Sequence, residues 1–184
     1  MRSMSSINQN LANLRRVIGM ALLASGALLP LNSMSSLDER KLSFYHTHTQ
    51  KTLEVTYAVG GVYVQSALED INNFLADFRT GDVRVMDPEL LDIMYDVRTS
   101  LGGNGTFEII SAYRSPKTNQ MLRDAGKGVA KKSQHLLGKA IDIRLRNVAS
   151  SELRDAALRM KRGGVGYYEK SNFVHIDTGR VRRW

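Results

Sequence analysis

His135, Asp142 and His175 are the residues of this chain best suited to chemistry: two imidazoles and a carboxylate, spaced so that one zinc ion can take all three. Such a set leaves the fourth tetrahedral position open to water, the arrangement of catalytic rather than structural zinc. Zinc lowers the pKa of that water to about 7, giving a hydroxide-like nucleophile at neutral pH. The same residues have plainer uses. A strand histidine often satisfies a core hydrogen bond, and Asp142 could cap a turn or pair with Arg144.

Convergence of the three requires particular elements. Gly138 lets the chain turn after His135, and residues 140–145 then alternate as a half-buried strand. Ile141, Ile143 and Leu145 occupy one face of it, Asp142 and Arg144 the other. Residues 173–177 read as a second short strand in which His175 and Asp177 share a face. If these strands are neighbours, the ligands meet. Upstream, residues 41–49 and 53–57 read as a hairpin, which would turn His46 and His48 one way. With no third ligand nearby, that pair is expected to be structural or substrate-facing.

Helical spacing of Leu68, Ile71, Phe74, Leu75 and Phe78 predicts a helix over 64–78. Asp87-Pro88 starts a second helix that ends at Gly102-Gly103. Residues 107–110 begin a strand leading to Ser115-Pro116, a capped helix start, which puts Arg114 at a strand-to-helix turn where a rigid scaffold can aim it. Residues 126–132 form a lysine-rich loop, 151–160 a short helix, and 165–168 a strand.

The length of 184 residues suits one domain behind an N-terminal segment. Residues 1–16 carry three arginines and no acid, and an apolar run follows at 17–31. Residues 1–36 are therefore expected to be an export signal or an N-terminal anchor, and Arg15-Arg16 also permits the twin-arginine route. The run is short for a membrane span. Cysteine is absent, which removes disulfides and thiolate metal sites. The net charge of +8 is uneven: residues 34–110 hold 6 basic and 12 acidic residues, residues 111–184 hold 17 and 6. The half bearing the expected metal site thus attracts anions. Basic patches also bind nucleic acid, but no aromatic-rich signature accompanies the charge, so no nucleic-acid partner is expected. Composition suggests a monomer.

Four motifs, Ser111-Ala-Tyr-Arg-Ser115, Ser133-Gln-His-Leu-Leu-Gly-Lys-Ala-Ile-Asp142, Gly163-Gly-Val-Gly-Tyr-Tyr168 and Asn172-Phe-Val-His-Ile-Asp-Thr-Gly179, with the closing Arg183-Trp184, resemble the zinc D-Ala-D-Ala peptidase family, and within it the YcbK-like branch. The resemblance implies an α+β fold over residues 37–184, a small antiparallel sheet with flanking helices like that of hedgehog-like peptidases. It implies an exported, periplasmic zinc enzyme that hydrolyses peptidoglycan cross-links, in this branch the 3-3 link between two diaminopimelates. His135, Asp142 and His175 fall on the family's zinc positions. Arg114 falls on an arginine that polarises the scissile carbonyl or holds a substrate carboxylate, roles that suit its five-donor fork. Ser133 and Gln134 fall beside the site, as substrate contacts or in ordinary loop hydrogen bonding.

One position departs from the pattern. Many relatives carry an acid three residues before the last histidine as general base, and here Asn172 stands there, unable to take a proton. Asp177 is the candidate in its place, unless it orients a ligand instead; Glu169 is the reserve. A D,D- or L,D-carboxypeptidase acting on muropeptides and a wall-binding module without turnover remain as alternative readings.

Overall fold

Period-two burial along β1 (Glu39–His46) puts Leu42, Phe44 and His46 on one face, and the same alternation recurs through the strands that follow. The computed structural model describes residues 38–184; the expected export segment lies outside them. In chain order the elements after β1 are β2 (Thr52–Val59), β3 (Val62–Tyr63), α1 (Gln65–Phe74), α2 (Pro88–Ser100), β4 (Phe107–Ser111), α3 (Pro116–Asp124), β5 (Ala140–Leu145), α4 (Ser150–Met160), β6 (Gly164–Tyr168), β7 (Phe173–Asp177) and β8 (Arg182–Arg183). A 3-10 turn, Gln134–Leu137, precedes β5.

All eight strands form one sheet in the order β3-β2-β1-β4-β5-β7-β6-β8. The α+β class stands, but the expected small antiparallel sheet is corrected to a large mixed one, because β1 pairs with β4, and β6 with β8, in parallel. Parallel neighbours need a crossover. The chain between β1 and β4 is long enough to supply one, since it contains the hairpin partner β2 and the helices α1 and α2.

Helices α1, α2 and α4 pack against the sheet, and their apolar stripes meet Leu42, Phe44, Ile109, Ile143, Val174 and Ile176 in one core. The start of α2 is fixed by the Asp87 side chain, which accepts from the Glu89 amide at 3.1 Å, with Pro88 in the first turn. Ser115 caps α3 in the same way through the Thr118 amide. Helix α1 stops at Phe74, four residues short of the expected end. The chain turns there about the buried Asp77 carboxylate, which accepts from the amides of Arg79 and Ser115 and so draws the backbone out of the helix.

Strand β1 also ends early, at His46, so that His48 lies in the turn rather than two rungs along a strand. His46 Nδ1 accepts from the amides of His48 and Thr49, and its ring packs edge-on to Phe74 and Phe78. His48 stacks on Phe78 at 4.0 Å. Burial lowers the His46 pKa below its ordinary value. This pair is a structural cap on the hairpin end.

Close backbone approach beside the site rests on Gly163, at φ +87°, where an added Cβ would lie 1.7 Å from the Asp177 carbonyl oxygen. Gly61, at φ +78°, has nothing within 4 Å of the same position. Replacing Gly61 by Ala should therefore cost only the left-handed penalty, about 1–2 kcal/mol. Gly163→Ala should cost clearly more, since the β7 backbone must also move. Urea unfolding of the two variants checks this, and equal losses would mean that β6 and β7 are not held that closely.

Candidate metal centre

The β5–β7 register sets Asp142 directly opposite His175. Side chains of directly opposed residues share a face, here the face away from Ile141 and Val174. A β-bulge in β4 between Ile109 and Ser111 then brings Ser111 opposite Asp142, and β6 sets Gly166 opposite His175. Ser111, Asp142, His175 and Gly166 thus form one row across four strands.

His135 reaches this row from the 3-10 turn. Ser133 caps the turn, its Oγ accepting from the His135 amide at 3.3 Å, and Gly138 ends it at φ +70°. The His135 carbonyl accepts from the Arg114 amide, which fastens the turn to the end of β4.

Three atoms converge: His135 Nε2 and His175 Nδ1 lie 3.2 Å apart, and Asp142 Oδ1 lies 3.3 Å from the first and 2.9 Å from the second. The residues are 2%, 4% and 7% exposed for His135, Asp142 and His175. Their other atoms fix the tautomers. His135 Nδ1 faces the Ala112 carbonyl at 2.6 Å, which only accepts, so Nδ1 carries the proton and Nε2 the lone pair. His175 Nε2 donates to Asp177 Oδ2 at 2.9 Å, which turns Nδ1 inward. Buried lone pairs facing one another repel unless a cation lies between them. Tetrahedral ligands at zinc bond lengths sit about 3.3 Å apart, close to the observed triangle. The donor set fits a divalent ion.

Electrostatics follow from this packing. Burial lowers the pKa of His135. Burial works in the same direction on His175, but hydrogen bonds to Asp142 and Asp177 outweigh it and raise that ring above its ordinary value. Burial alone would raise Asp142, yet the two histidines hold it well below the usual carboxylate range. It stays ionised as a ligand must.

Arg114 lies beside Asp142. Its Nη2 donates to Asp142 Oδ2 at 2.5 Å and its Nε to Ser111 Oγ at 2.9 Å. The guanidinium therefore clamps a ligand carboxylate with Nη2 and rests on Ser111 with Nε, while lining the cleft. Ser133 and Gln134 do line the cleft; Ser133 is also the cap of the turn.

Asp177 accepts hydrogen bonds on both carboxylate oxygens. Oδ1 accepts from the amides of Gly164 and Gly179 and from Arg182 Nη1, while Oδ2 accepts from His175 Nε2 and Arg182 Nη2. It is fully buried, and one of its five hydrogen bonds orients His175. Burial would raise its pKa, but His175 and Arg182 hold it far below the usual range. Asn172 offers nothing in its place, since its Oδ1 accepts from Ser150 Oγ. Glu169 does not line the cleft.

Sequence reasoning missed Arg182 and Trp184 as parts of the site. Arg182 secures Asp177, and the Trp184 ring lies 5.2 Å from His175 and under the Arg182 guanidinium at 4.9 Å. A Cβ at Gly164 would meet Arg182 at 2.3 Å, and one at Gly166 would meet Trp184 at 2.6 Å. The signal was the Gly164-x-Gly166 alternation beside Arg182-x-Trp184: two missing side chains opposite two large ones.

Asp177→Asn sets an amide among five donors, so it should lower stability and also weaken metal binding about 10- to 100-fold, as loss of a group orienting a ligand does. Chelator competition with circular dichroism as the control measures it, and an unchanged affinity would mean that His175 is oriented by its other neighbours.

The family described as peptidoglycan L,D-endopeptidase MepK matches residues 34–184. The chain is 40% identical over 177 residues to the peptidoglycan L,D-endopeptidase MepK of Escherichia coli strain K12, covering 94% of this chain and 97% of the relative. The Shigella flexneri protein of that name matches to the same extent. The probable peptidoglycan L,D-endopeptidase MepK of Haemophilus influenzae is 37% identical over 185 residues, with 98% of each chain covered. No solved structure matches. With the site and its surroundings spanned in full by these alignments, the chain belongs to the MepK family of peptidoglycan endopeptidases.

Proposed function

We propose that this chain is a zinc-dependent endopeptidase that hydrolyses peptide cross-links of peptidoglycan, the 3-3 link between diaminopimelates being the bond its L,D-named relatives suggest. The observation that carries the reading is the buried His135–Asp142–His175 triangle, with each ligand oriented by a further hydrogen bond, at the floor of a cleft of about 570 Å³. His135, Asp142 and His175 would hold a zinc ion there, and it would supply Lewis acidity to the scissile carbonyl and to water.

The chain's own residues do the rest. Ala112 and Asp177 fix the two imidazoles, and Arg114 holds the carboxylate by its second oxygen so that only Oδ1 faces the ligand position. Each site carboxylate has its own arginine, Asp142 with Arg114 and Asp177 with Arg182. The added positive charge of an ion is then left uncancelled and acts on the substrate. Aromatic rings wall the cleft: Tyr168 stacks on Phe173 at 4.5 Å and accepts a hydrogen bond from Trp184 Nε1. Peptidoglycan as substrate puts the protein in the periplasm, which the basic and apolar start of the chain supports.

A second reading is favoured by one observation. Apart from the ligand Asp142, no described residue lining the cleft is a carboxylate, so a wall-binding module without turnover is the rival. His135→Ala and Asp142→Ala should each abolish cleavage while the parent, loaded with zinc, converts cross-linked dimers of purified sacculi into monomers, read by mass spectrometry. Loss of terminal residues with dimers intact would instead mean a carboxypeptidase. Binding without products would establish the module.

A further inference from the structure

Five cations line the cleft, and they divide into two kinds. Arg114 and Arg182 are consumed by Asp142 and Asp177. Lys127, Lys132 and Arg180 are exposed and have no carboxylate partner among the described residues. Among the described residues, the cleft contains no acid besides the buried ligand Asp142. Some cations elsewhere on the surface are matched, Arg40 with Asp92, Arg146 with Glu108 and Arg162 with Asp96, while others, such as Lys51 and Lys161, are solvated singly. What distinguishes the three in the cleft is that they share one concave site with the metal ligands. Unmatched cations gathered round a metal centre repel one another and are relieved by an anionic ligand.

Their backbones are anchored although their side chains are free. Lys132 immediately precedes Ser133, the cap of the turn that carries His135. Arg180 follows Gly179, whose amide donates to Asp177 Oδ1 at 2.8 Å. Both cations therefore project from segments tied to the ligand-bearing elements. Lys127 belongs to the same loop as Lys132, flanked by Gly126 and Gly128 at positive φ.

We propose that Lys132 and Arg180, assisted by Lys127, are specificity-determining residues that hold free carboxylates of the substrate peptide, so that the cleft selects acidic cross-linked peptides over amidated ones. The inference rests on the endopeptidase reading and deepens it. Arg114, the residue on which sequence reasoning placed this role, spends its Nη2 on Asp142 and its Nε on Ser111. The exposed, unpaired cations have all their donors to offer a substrate carboxylate. An arginine can take a carboxylate with two parallel donors and a lysine with one, and neutralising the carboxylate as an amide removes the charge assistance.

The test uses the full zinc-loaded chain and two cross-linked muropeptide dimers, one with free diaminopimelate carboxylates and one with them amidated, following both equilibrium binding and cleavage. The parent should prefer the free acid by about tenfold or more, the size of one or two charge-assisted contacts. Arg180→Ala and Lys132→Ala should each lose most of that preference, chiefly through KM and Kd, with bound zinc unchanged. Arg180→Lys should keep more of it than Arg180→Ala. If the parent cleaves both dimers equally well, or if both alanine variants retain the preference, the inference is overturned while the endopeptidase reading stands. Preferential binding of the free acid with no cleavage would keep carboxylate recognition and remove the endopeptidase reading.

Discussion

The antiparallel register of β5 on β7 is the constraint on which the site depends. It places Asp142 opposite His175, Ala140 opposite Asp177, and the apolar pairs Ile141–Ile176 and Ile143–Val174 on the other face. Because side chains alternate, a slip of β5 by one residue would send Asp142 into the helix-packed core and bring isoleucines to the cleft, while His175 kept its place. Core burial and ligand placement are thus the same choice of register. The apolar face contributes the free energy, and the polar face is positioned by it. The bulge in β4 adjusts one neighbour to this row, turning Ser111 toward Asp142 where it can receive Arg114.

Charge is handled locally around that row. Two buried carboxylates side by side would ordinarily favour protonation of one of them. Here Arg114 and Arg182 each neutralise one, and the backbone amides of Gly164 and Gly179 add donors to Asp177. Asp142 is left free to act as a ligand with a single oxygen, and Asp177 is held where it orients His175. A group so thoroughly satisfied is a poor proton acceptor, so the contacts of Asp177 favour the orienting role over that of base.

Much of this was legible in the chain. Period-two alternation gave β5 and β7 with His175 and Asp177 on a common face, and the Asp87-Pro88 and Ser115-Pro116 caps marked two helix starts. What escaped depended on contacts far apart in sequence. The parallel pairing of β1 with β4 follows from how α1 and α2 pack, not from any local pattern. The end of α1 is set by Asp77 capturing the amide of Ser115, 38 residues away. Arg114 could be read as a functional arginine, but whether it meets a substrate or Asp142 is decided by the bulge, which leaves little trace in residues 107–111. The glycines at 164 and 166 were visible as part of a motif, yet their meaning required knowing that β8 lies beside β6.

The cations of the cleft show why charge alone is an incomplete guide to role. Arg114 and Arg182 share their sign with Lys132 and Arg180, and from the sequence all four belong to the same basic half. Desolvation separates them. Arg114 is only 13% exposed and its partner Asp142 6%, a pair whose disruption would strand a buried charge. The exposed cations leave nothing buried when they lose a partner, so they can exchange water for a ligand and back again. Fixed pairs hold the ligand residues in place, and free charges at the mouth of the cleft remain available to solvent or ligand. In this fold the division follows depth, since the committed arginines reach the sheet face and the free ones stay on the loops after α3 and β7.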